Sequence, residues 1–310
     1  MPTVIITGGT GLVGTALTKM LSGKGYHVIV LSRKISDGRT ALANVKYAEW
    51  NIEKQFIEEE AIRNADYIIH LAGAGVAEKR WSEKRKKEIV ESRTKSSALI
   101  IKSLTEIPNT VKAVISASAI GWYGADNNET TSRPFIETAP ADNEFLGETC
   151  RLWEESVNPV TAMHKRLIIL RTGIVLDENG GALKEFLKPL RLGIAAILGS
   201  GKQIISWIHI DDLCRLYIDA IENEKLQGVY NAVAPKPVTN KMLTMELAKQ
   251  VKGKYFIPIH VPAFVLKIML GEMSVEVLKS ANVSSEKINK TGFQFLYPGI
   301  ESALNSLMKK

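Results

Sequence analysis

A glycine-rich turn near the start of the chain carries the clearest chemical signal. The segment VIITGGTGLVG places Gly8, Gly11 and Gly14 between a Val/Ile-rich run and a helical run. Glycine permits a sharp turn and close approach of a phosphate, and the helix that follows offers free N–H groups and the positive end of its dipole. The pattern predicts a pyrophosphate-binding loop for a dinucleotide, with a glycine-rich turn without ligand as the alternative. The candidate contacts are Gly8, Thr10, Gly11, Leu12, Val13 and Gly14.

The end of the second apolar run, VIVLSRK, bears on which dinucleotide is bound. A site for NAD(H) ends this strand with Asp or Glu, which binds the ribose hydroxyls. Here Ser32 and Arg33 occupy that place, and Lys34 follows. A carboxylate would repel a 2′-phosphate, whereas a guanidinium binds it with two hydrogen bonds. We therefore expect NADP(H) to be preferred over NAD(H); the alternative is that Arg33 is an ordinary surface residue.

The elements that would position these residues follow from strand–helix alternation. Runs rich in Val, Ile and Leu alternate with helical patterns up to about Arg171. Such strands are buried on both faces, as in a parallel sheet covered by helices. The predicted fold class is α/β: a Rossmann-type doubly wound parallel sheet with helices on both faces, and a smaller C-terminal α/β domain for substrate. We expect the first domain to comprise residues 1–172 and about 205–234, and the second about 173–204 and 235–310.

Composition is that of an ordinary globular protein with a basic surface. The 310 residues carry a formal net charge of +7, and the densest basic cluster spans residues 78–95. Acidic residues interrupt this cluster, so a solvated helix face is favoured over a role next to an anionic ligand. Nucleic acid is not an expected partner.

Cysteine usage and the lack of targeting patterns suggest a compartment. Cys150 and Cys214 make no disulfide framework, and no basic segment precedes an apolar run at the N-terminus, so a cytoplasmic location is expected. No apolar run reaches the ~18 residues of a membrane span, and no membrane partner is expected. No cluster of His, Cys, Asp or Glu has metal-ligand spacing, so we expect no metal.

Motifs along the chain resemble those of extended short-chain dehydrogenases/reductases. TGGTGLVG, HLAG and SASAIGWYG occur in order, followed by RTGIVL, SWIHIDD and GFQFLYP. The chain is similar in particular to the atypical branch described as NAD(P)-dependent epimerase/dehydratase-like, or epimerase family proteins. The resemblance extends over nearly all of residues 3–305. It implies a dinucleotide cofactor and a small-molecule substrate held between two domains.

The resemblance also implies a catalytic set that this chain holds only in part. Typical members use a Ser or Thr after the fifth strand, and a Tyr-x-x-x-Lys pair on the next helix for proton transfer and ribose binding. Ser118 matches the serine, but the Tyr and Lys positions fall on Leu146 and Cys150. Leucine has no titratable proton, and cysteine carries no positive charge. Tyr123 is the candidate replacement acid, with a structural tyrosine as the alternative.

Further cofactor contacts follow from the same resemblance. The LAG loop after the fourth strand is expected beside the adenosine and pyrophosphate, and RTGIVL beside the nicotinamide. Arg93 would face the cofactor or form a surface salt bridge. These additional candidates are Leu71, Ala72, Gly73, Arg93, Ala117, Ser118, Thr172 and Gly173.

Two function hypotheses remain open at this point. The first is an NADP(H)-dependent oxidoreductase or epimerase with a nonstandard acid, acting on an unknown small substrate that is sugar- or nucleotide-linked by family analogy. The second is an NADP(H)-binding sensor or regulator without turnover that acts through a protein partner; relatives of this branch have been linked to cell or organelle division. The sequence leaves monomer and homodimer open.

Overall fold

The protein has a mixed α/β fold built around one large parallel sheet. The computed structural model describes residues 1–33, 42–126 and 133–309. The strands are β1 Thr3–Thr7, β2 His27–Ser32, β3 Val45–Asn51, β4 Phe56–Ile57, β5 Tyr67–His70, β6 Ala113–Ala119, β7 Arg166–Thr172, β8 Ile174–Asp177, β9 Ile194–Leu198, β10 Ile204–Ile205, β11 Trp207–His209, β12 Gly228–Ala232, β13 Val238–Thr239 and β14 Ile257–Val261.

Helices connect most of these strands, and three short 3-10 turns lie at Ile120–Trp122, Asn158–Met163 and Gly271–Met273. The α-helices are α1 Leu12–Gly23, α2 Glu59–Arg63, α3 Glu83–Glu106, α4 Phe145–Val157, α5 Gly181–Arg191, α6 Ile210–Glu222, α7 Asn240–Lys252, α8 Ala263–Leu270, α9 Ser274–Leu278, α10 Glu286–Asn289 and α11 Ile300–Met308.

The order of strands in the large sheet creates a crevice at its centre. The order is β12-β7-β6-β5-β1-β2-β3-β4, and all neighbours pair in parallel except β3 and β4. From β1 the chain winds outward to β2 and β3, then returns to β5 on the other side of β1. Ligands bind at the carboxyl ends of the strands where the direction of winding reverses. The predicted Rossmann-type doubly wound sheet is confirmed.

Alternating side chains of β1 show that the sheet is buried on both faces. Val4 and Ile6 pack in the core cluster that holds Leu17 of α1 and Leu213 of α6. Ile5, between them, packs in a second cluster with Leu99 and Ile100 of α3. Successive residues of a strand point to opposite faces, so the continuous apolar pattern of β1 is satisfied by helices on both sides.

Outside the large sheet lie three two-stranded sheets. β8 pairs with β11 and β9 with β14, both in parallel, while β10 pairs with β13 in an antiparallel arrangement. The sequence pattern predicts one helix near Phe56–Arg63. The structure instead has strand β4 at its start, paired with β3, and helix α2 only at Glu59–Arg63, so the first part of this prediction is wrong. None of the helices in the described ranges combines the length and hydropathy needed to span a bilayer.

Candidate functional site

A cleft of about 880 Å³ lies at the carboxyl ends of β1, β2 and β5, where the winding direction reverses. Eight of the predicted cofactor contacts line it: Gly8, Thr10, Gly11, Ser32, Arg33, Leu71, Ala72 and Gly73. Its lining also includes residues that the sequence analysis did not single out: Leu31, Trp50, Ile52, Ala74, Gly75, Glu78, Arg85, Glu88 and Ser92. The structure thus brings the glycine loop, the end of β2 and the LAG loop into one cavity.

The glycine loop forms a tight turn that admits no larger residue at two positions. Gly8 has a φ of +67°, and a Cβ there would lie 3.0 Å from the backbone of Leu71. A Cβ on Gly14 would overlap the backbone of Gly8 and Gly9, so α1 packs directly on the turn. Gly11 precedes α1 and provides no side-chain cap, which leaves the N–H groups of the first turn open to a ligand.

Leu12 and Val13 lie in the first turn of α1, next to the cleft rather than on its lining. A Cβ on Gly180 would lie 3.1 Å from Leu12 Cδ1, so this turn also contacts the segment before α5. At the other end of the cleft, Ser32 is the last residue of β2 and is buried, while Arg33 is exposed. Lys34 lies outside the described residues.

A buried threonine and a buried histidine hold the LAG loop in place. Thr7 Oγ1 accepts hydrogen bonds from Leu71 N at 3.0 Å and Ala72 N at 3.1 Å, and lies 2.8 Å from His70 Nδ1. Burial, followed by the nearby charge of Arg93, lowers the pKa of His70 to about 4. His70 is therefore neutral at physiological pH and acts as a hydrogen-bonding support for the loop.

Arg85 is a buried cation on the cleft wall that already has its counter-ions. Its guanidinium donates to Glu78 Oε2 at 3.0 Å, Glu88 Oε2 at 2.8 Å and the carbonyl of Gly75. Its Nε has no hydrogen-bond partner within the described part of the chain. Within the basic cluster 78–95, this residue is thus a cleft residue rather than part of a solvated face.

Arg93 is buried behind Gly73 and lacks such counter-ions. Its Nη1 donates to the carbonyls of Ala74 at 3.1 Å and Ile89 at 2.8 Å, and its Cζ lies 4.8 Å from the Trp153 ring centroid. No carboxylate of the described residues forms a salt bridge with it. A Cβ on Gly73 would lie 3.0 Å from its Cζ, so Arg93 lies directly beneath the cleft wall rather than in a surface salt bridge.

Ser118 lies at the end of β6, away from the described cleft, in a buried ionic network. Its hydroxyl donates to Glu154 Oε1 at 2.6 Å. Arg171 binds the same carboxylate with two hydrogen bonds, Nε to Oε1 at 2.8 Å and Nη2 to Oε2 at 2.9 Å. The guanidinium also stacks on Trp122, with 3.6 Å from Cζ to the ring centroid. This arrangement orders Ser118 through Glu154, a residue that the sequence analysis did not single out.

The structure does not bring Tyr123 to the cleft. Its side chain is fully buried, its hydroxyl donates to Asn231 Oδ1 at 2.7 Å, and it accepts from Arg171 Nη1 at 3.1 Å. Burial raises the pKa of Tyr123 further above its ordinary value. A hydroxyl committed to two buried partners is poorly suited to proton transfer with a substrate, which argues against Tyr123 as the replacement acid and favours a structural role.

Leu146 and Cys150 lie on α4, beside the turn that follows β6. A Cβ on Gly121 would lie 3.2 Å from Leu146 Cβ and 3.7 Å from Cys150 Sγ. The thiol donates weakly to the carbonyl of Ala119, and burial raises the pKa of Cys150 to about 11. The thiol therefore stays protonated at physiological pH and is a poor nucleophile.

The last predicted contacts lie on adjacent strands. Ala117 pairs with Leu170, and Thr172 with Ala119, across β6 and β7. A Cβ on Gly173 would lie 2.7 Å from Ser206 O, so the backbones approach closely there. These residues lie outside the cleft lining. No group of three or more His, Cys, Asp or Glu in the described ranges is arranged to hold a metal ion.

Comparison with known proteins identifies the family. The model of the NAD dependent epimerase/dehydratase family matches residues 4–232, and a domain of unknown function (DUF1731) matches residues 261–307. An epimerase family protein of Bacillus subtilis (strain 168), YfhF, is 33% identical over 305 residues, covering 98% of this chain and 97% of the relative.

Two solved structures are also similar. The human epimerase family protein SDR39U1, crystallised with NADPH, aligns with a TM-score of 0.86 and 28% identity over 99% of both chains. A nucleoside-diphosphate sugar epimerase from Corynebacterium glutamicum aligns with a TM-score of 0.77 and 30% identity over 99% of this chain and 58% of that one. The resemblance seen in the motifs is confirmed: the chain belongs to the NAD-dependent epimerase/dehydratase family.

Proposed function

We propose that the protein binds NADP(H) in the cleft at the carboxyl ends of β1, β2 and β5. The observation that carries this proposal is the single cavity of about 880 Å³ that joins the glycine loop, Arg33 and the LAG loop. The matching family is described as NAD-dependent, and the human relative SDR39U1 was crystallised with NADPH. Exposed Arg33 at the end of β2, where an NAD site has an acid, supports the phosphorylated form.

Each part of the dinucleotide has candidate residues in this chain. Ser32 and Arg33 would hold the 2′-phosphate, and the first turn of α1 the pyrophosphate. Arg93, Ala117, Ser118, Thr172 and Gly173 would serve the nicotinamide half. The buried guanidinium of Arg93, which has no carboxylate partner among the described residues, fits an anionic or hydroxyl-rich ligand better than an empty site. When bound, the nicotinamide supplies hydride transfer.

A matched pair of variants at Thr10 tests this location. Thr10 is exposed and lines the cleft, so substitution there should not disturb folding. A carboxylate in Thr10→Asp would lie beside the pyrophosphate, and we expect it to weaken NADPH binding about tenfold or more by charge repulsion. Thr10→Asn introduces a side chain of nearly the same shape as Asp but without the charge, so this variant should bind NADPH clearly more tightly than Thr10→Asp. Equal affinities of the two variants in a fluorescence titration would mean that the nucleotide binds elsewhere.

The surroundings of the candidate acids favour nucleotide binding without the usual proton transfer by a tyrosine. Tyr123 is buried with two hydrogen-bond partners, Ser118 is bonded to Glu154, and the Cys150 thiol has a pKa raised to about 11 by burial. These environments support the hypothesis that the protein is an NADP(H)-dependent sensor or regulator that acts through a protein partner.

Oxidoreductase or epimerase chemistry is the second candidate, and family membership favours it. We propose that residues 173–204 and 235–310 form its substrate-binding domain. A sugar- or nucleotide-linked substrate is supported by the Corynebacterium glutamicum structure, described as a nucleoside-diphosphate sugar epimerase. A panel of carbonyl compounds and nucleotide sugars, followed by NADPH absorbance, separates the candidates. Hydride transfer that is abolished in Tyr123→Phe would overturn the sensor proposal.

A cytoplasmic location is also proposed. Cys150 and Cys214 are both free and buried, which suits a reducing compartment.

A further inference from the structure

A helix in the C-terminal part is apolar around most of its circumference but lies at the surface. α8 has the sequence AFVLKIML and buries only Leu266. Phe264, Ile268 and Met269 are 65%, 71% and 64% exposed. A helix that is apolar on nearly all sides is ordinarily covered by other elements, and a large exposed apolar patch indicates an interaction site.

The two-stranded sheet whose strand β14 directly precedes α8 also has an exposed apolar face. Ile257 pairs with Ile194 and Ile259 with Ala196, and paired residues lie on the same face of a sheet. Ala195, on the opposite face, is fully buried, so the face of Ile257 and Ile259 is turned away from the core. Every residue of that outward face is apolar: Ile194, Ala196, Leu198, Ile257, Ile259 and Val261.

Two further bulky side chains lie at the start of β14. Ile257 N donates to Gly193 O at 2.8 Å, which places Leu192 and Tyr255 beside the strand. They are 81% and 88% exposed. We define the apolar surface by its most exposed members: Leu192, Tyr255, Ile257, Ile259, Phe264, Ile268 and Met269.

The free edge of β14 is unsuited to pairing with another strand. Because the Ile257 N–H is directed to β9, the backbone of the next residue, Pro258, is directed outward. Proline has no N–H, and at an edge it blocks extension of the sheet. A partner of this surface must therefore be recognised through side chains.

The charges on the chain segment that carries β14 and α8 indicate the kind of partner. Between Glu246 and Glu272 the chain has no acidic residue but has Lys249, Lys252, Lys254 and Lys267. Lys254 and Lys267 are exposed, and neither is in an ion pair with the described residues. A second copy of the chain would bring these like charges together, which is unfavourable. Anionic lipid headgroups would complement them.

We propose that the apolar surface docks the protein onto an anionic lipid bilayer. Phe264, Ile268 and Met269 enter the boundary between headgroups and acyl chains, and Lys254 and Lys267 contact lipid phosphates. Such docking needs no membrane span, since an apolar surface with flanking lysines binds in the interface plane. The expectation of no membrane partner rests only on the absence of an apolar run long enough to span a bilayer, and surface docking requires no such run.

Vesicle co-sedimentation of the full chain tests this proposal. We expect binding to phosphatidylcholine vesicles that contain phosphatidylglycerol, weaker binding at high salt, and little binding to pure phosphatidylcholine. Phe264→Ser/Ile268→Ser should lower the vesicle affinity about tenfold or more, and Lys254→Gln/Lys267→Gln should remove the preference for anionic vesicles. The matched control is Phe56→Ser/Ile136→Ser, which removes a Phe and an Ile that are 46% and 48% exposed elsewhere.

Two results of the sedimentation experiment would overturn the proposal. Failure of the unmodified protein to sediment with anionic vesicles overturns it, as does equal sedimentation of the Phe264→Ser/Ile268→Ser variant. Light scattering on the same samples tests whether a second copy of the chain, rather than lipid, binds to the apolar surface. If the unmodified protein is a dimer and the Phe264→Ser/Ile268→Ser variant is a monomer, the apolar surface joins two copies of the chain instead. Thermal unfolding of each variant verifies that it is folded.

Discussion

At the scale of single residues, the unusual feature is a buried positive charge that no carboxylate in the described ranges neutralises. Arg93 has two backbone carbonyls and the Trp153 ring as neighbours, and burial lowers its pKa. A buried charge without a counter-ion is costly in the folded state. Because Arg93 lies beneath Gly73 and near Cys150, a bound dinucleotide would supply the missing polar partner. The chain would thus keep a cation near the position where the family's lysine is lost.

Arg93→Met tests whether the charge serves a ligand or only the fold. We expect NADPH affinity to fall about tenfold, the effect of losing one hydrogen bond to a charged group. The free energy of unfolding without ligand should change by less than about 1 kcal/mol, since an apolar replacement also removes the cost of the buried charge. Arg93→Lys is the control that keeps the charge and should retain part of the affinity. Loss of stability in Arg93→Met without loss of affinity would indicate a purely structural role.

His70 gives the fold a defined pH dependence. Its pKa is about 4 in the folded chain and about 6.5 in the unfolded chain, so the unfolded state binds more protons between these values. The contribution of neutral His70 is complete above pH 6.5 and is lost as pH falls toward 4, with a loss of roughly 2 kcal/mol by pH 5. Urea unfolding at pH 7.5 and pH 5 should show a smaller loss for His70→Gln than for the unmodified protein. Equal losses would contradict the buried, neutral state of His70.

Sequence reasoning found the residues whose chemistry is local and missed those defined by distant contacts. The spacing of Gly8 and Gly11 and the place of Arg33 follow from one strand–turn–helix unit, and all three line the cleft. The burial of Tyr123 depends on Asn231, 108 residues further along the chain, so no local pattern could reveal it. Arg85 was missed for a different reason: its partners Glu78 and Glu88 are near in sequence, but the pattern of charges in residues 78–95 is also typical of a solvated helix.

At the scale of elements, α1 packs closely on the glycine turn, and we expect this packing to determine how two glycine variants affect stability. Gly14→Ala should lower the free energy of unfolding by about 1–3 kcal/mol, because its Cβ would overlap the backbone of Gly8 and Gly9. Gly23→Ala, at the other end of α1, meets no atom within 4 Å and should be neutral or stabilising. Urea unfolding of the two variants measures the difference. Equal stabilities would mean that α1 does not pack on the turn as described.

The sequence predicts helix boundaries well where the helical pattern is long. It predicts them less well where a capping side chain determines the first residue of the helix. The sequence pattern predicts a long helix over about Ser82–Leu104, and the structure has it at Glu83–Glu106 with Ser82 as its cap. The start of α6 differs from expectation: the pattern favours Asp211 or Asp212 as the cap, but His209 Nδ1 accepts from Asp211 N at 3.0 Å. Asp212 instead accepts from the backbone of Leu296 and Tyr297, which lie far away in sequence.

At the scale of the whole molecule, the doubly wound sheet is the part most fully determined by local patterns. Its strands are continuous runs of Val, Ile and Leu that can only be buried on both faces. The three two-stranded sheets could not be predicted in the same way, because β10 and β13 contribute only two residues each and pair across long separations. The central cleft follows from the order of strands, because it lies where the direction of winding reverses.

Fluorescence titration with NADPH and with NADH under identical conditions tests the central claim most directly. We expect NADPH to bind about tenfold more tightly or better, since Arg33 would form charge-assisted hydrogen bonds with the 2′-phosphate. Arg33→Ala should remove this preference and leave NADH binding unchanged, whereas Arg63→Ala, an exposed arginine on α2, should behave as the unmodified protein. Equal affinity for the two nucleotides, or binding of neither, would contradict the assignment of this cleft to NADP(H).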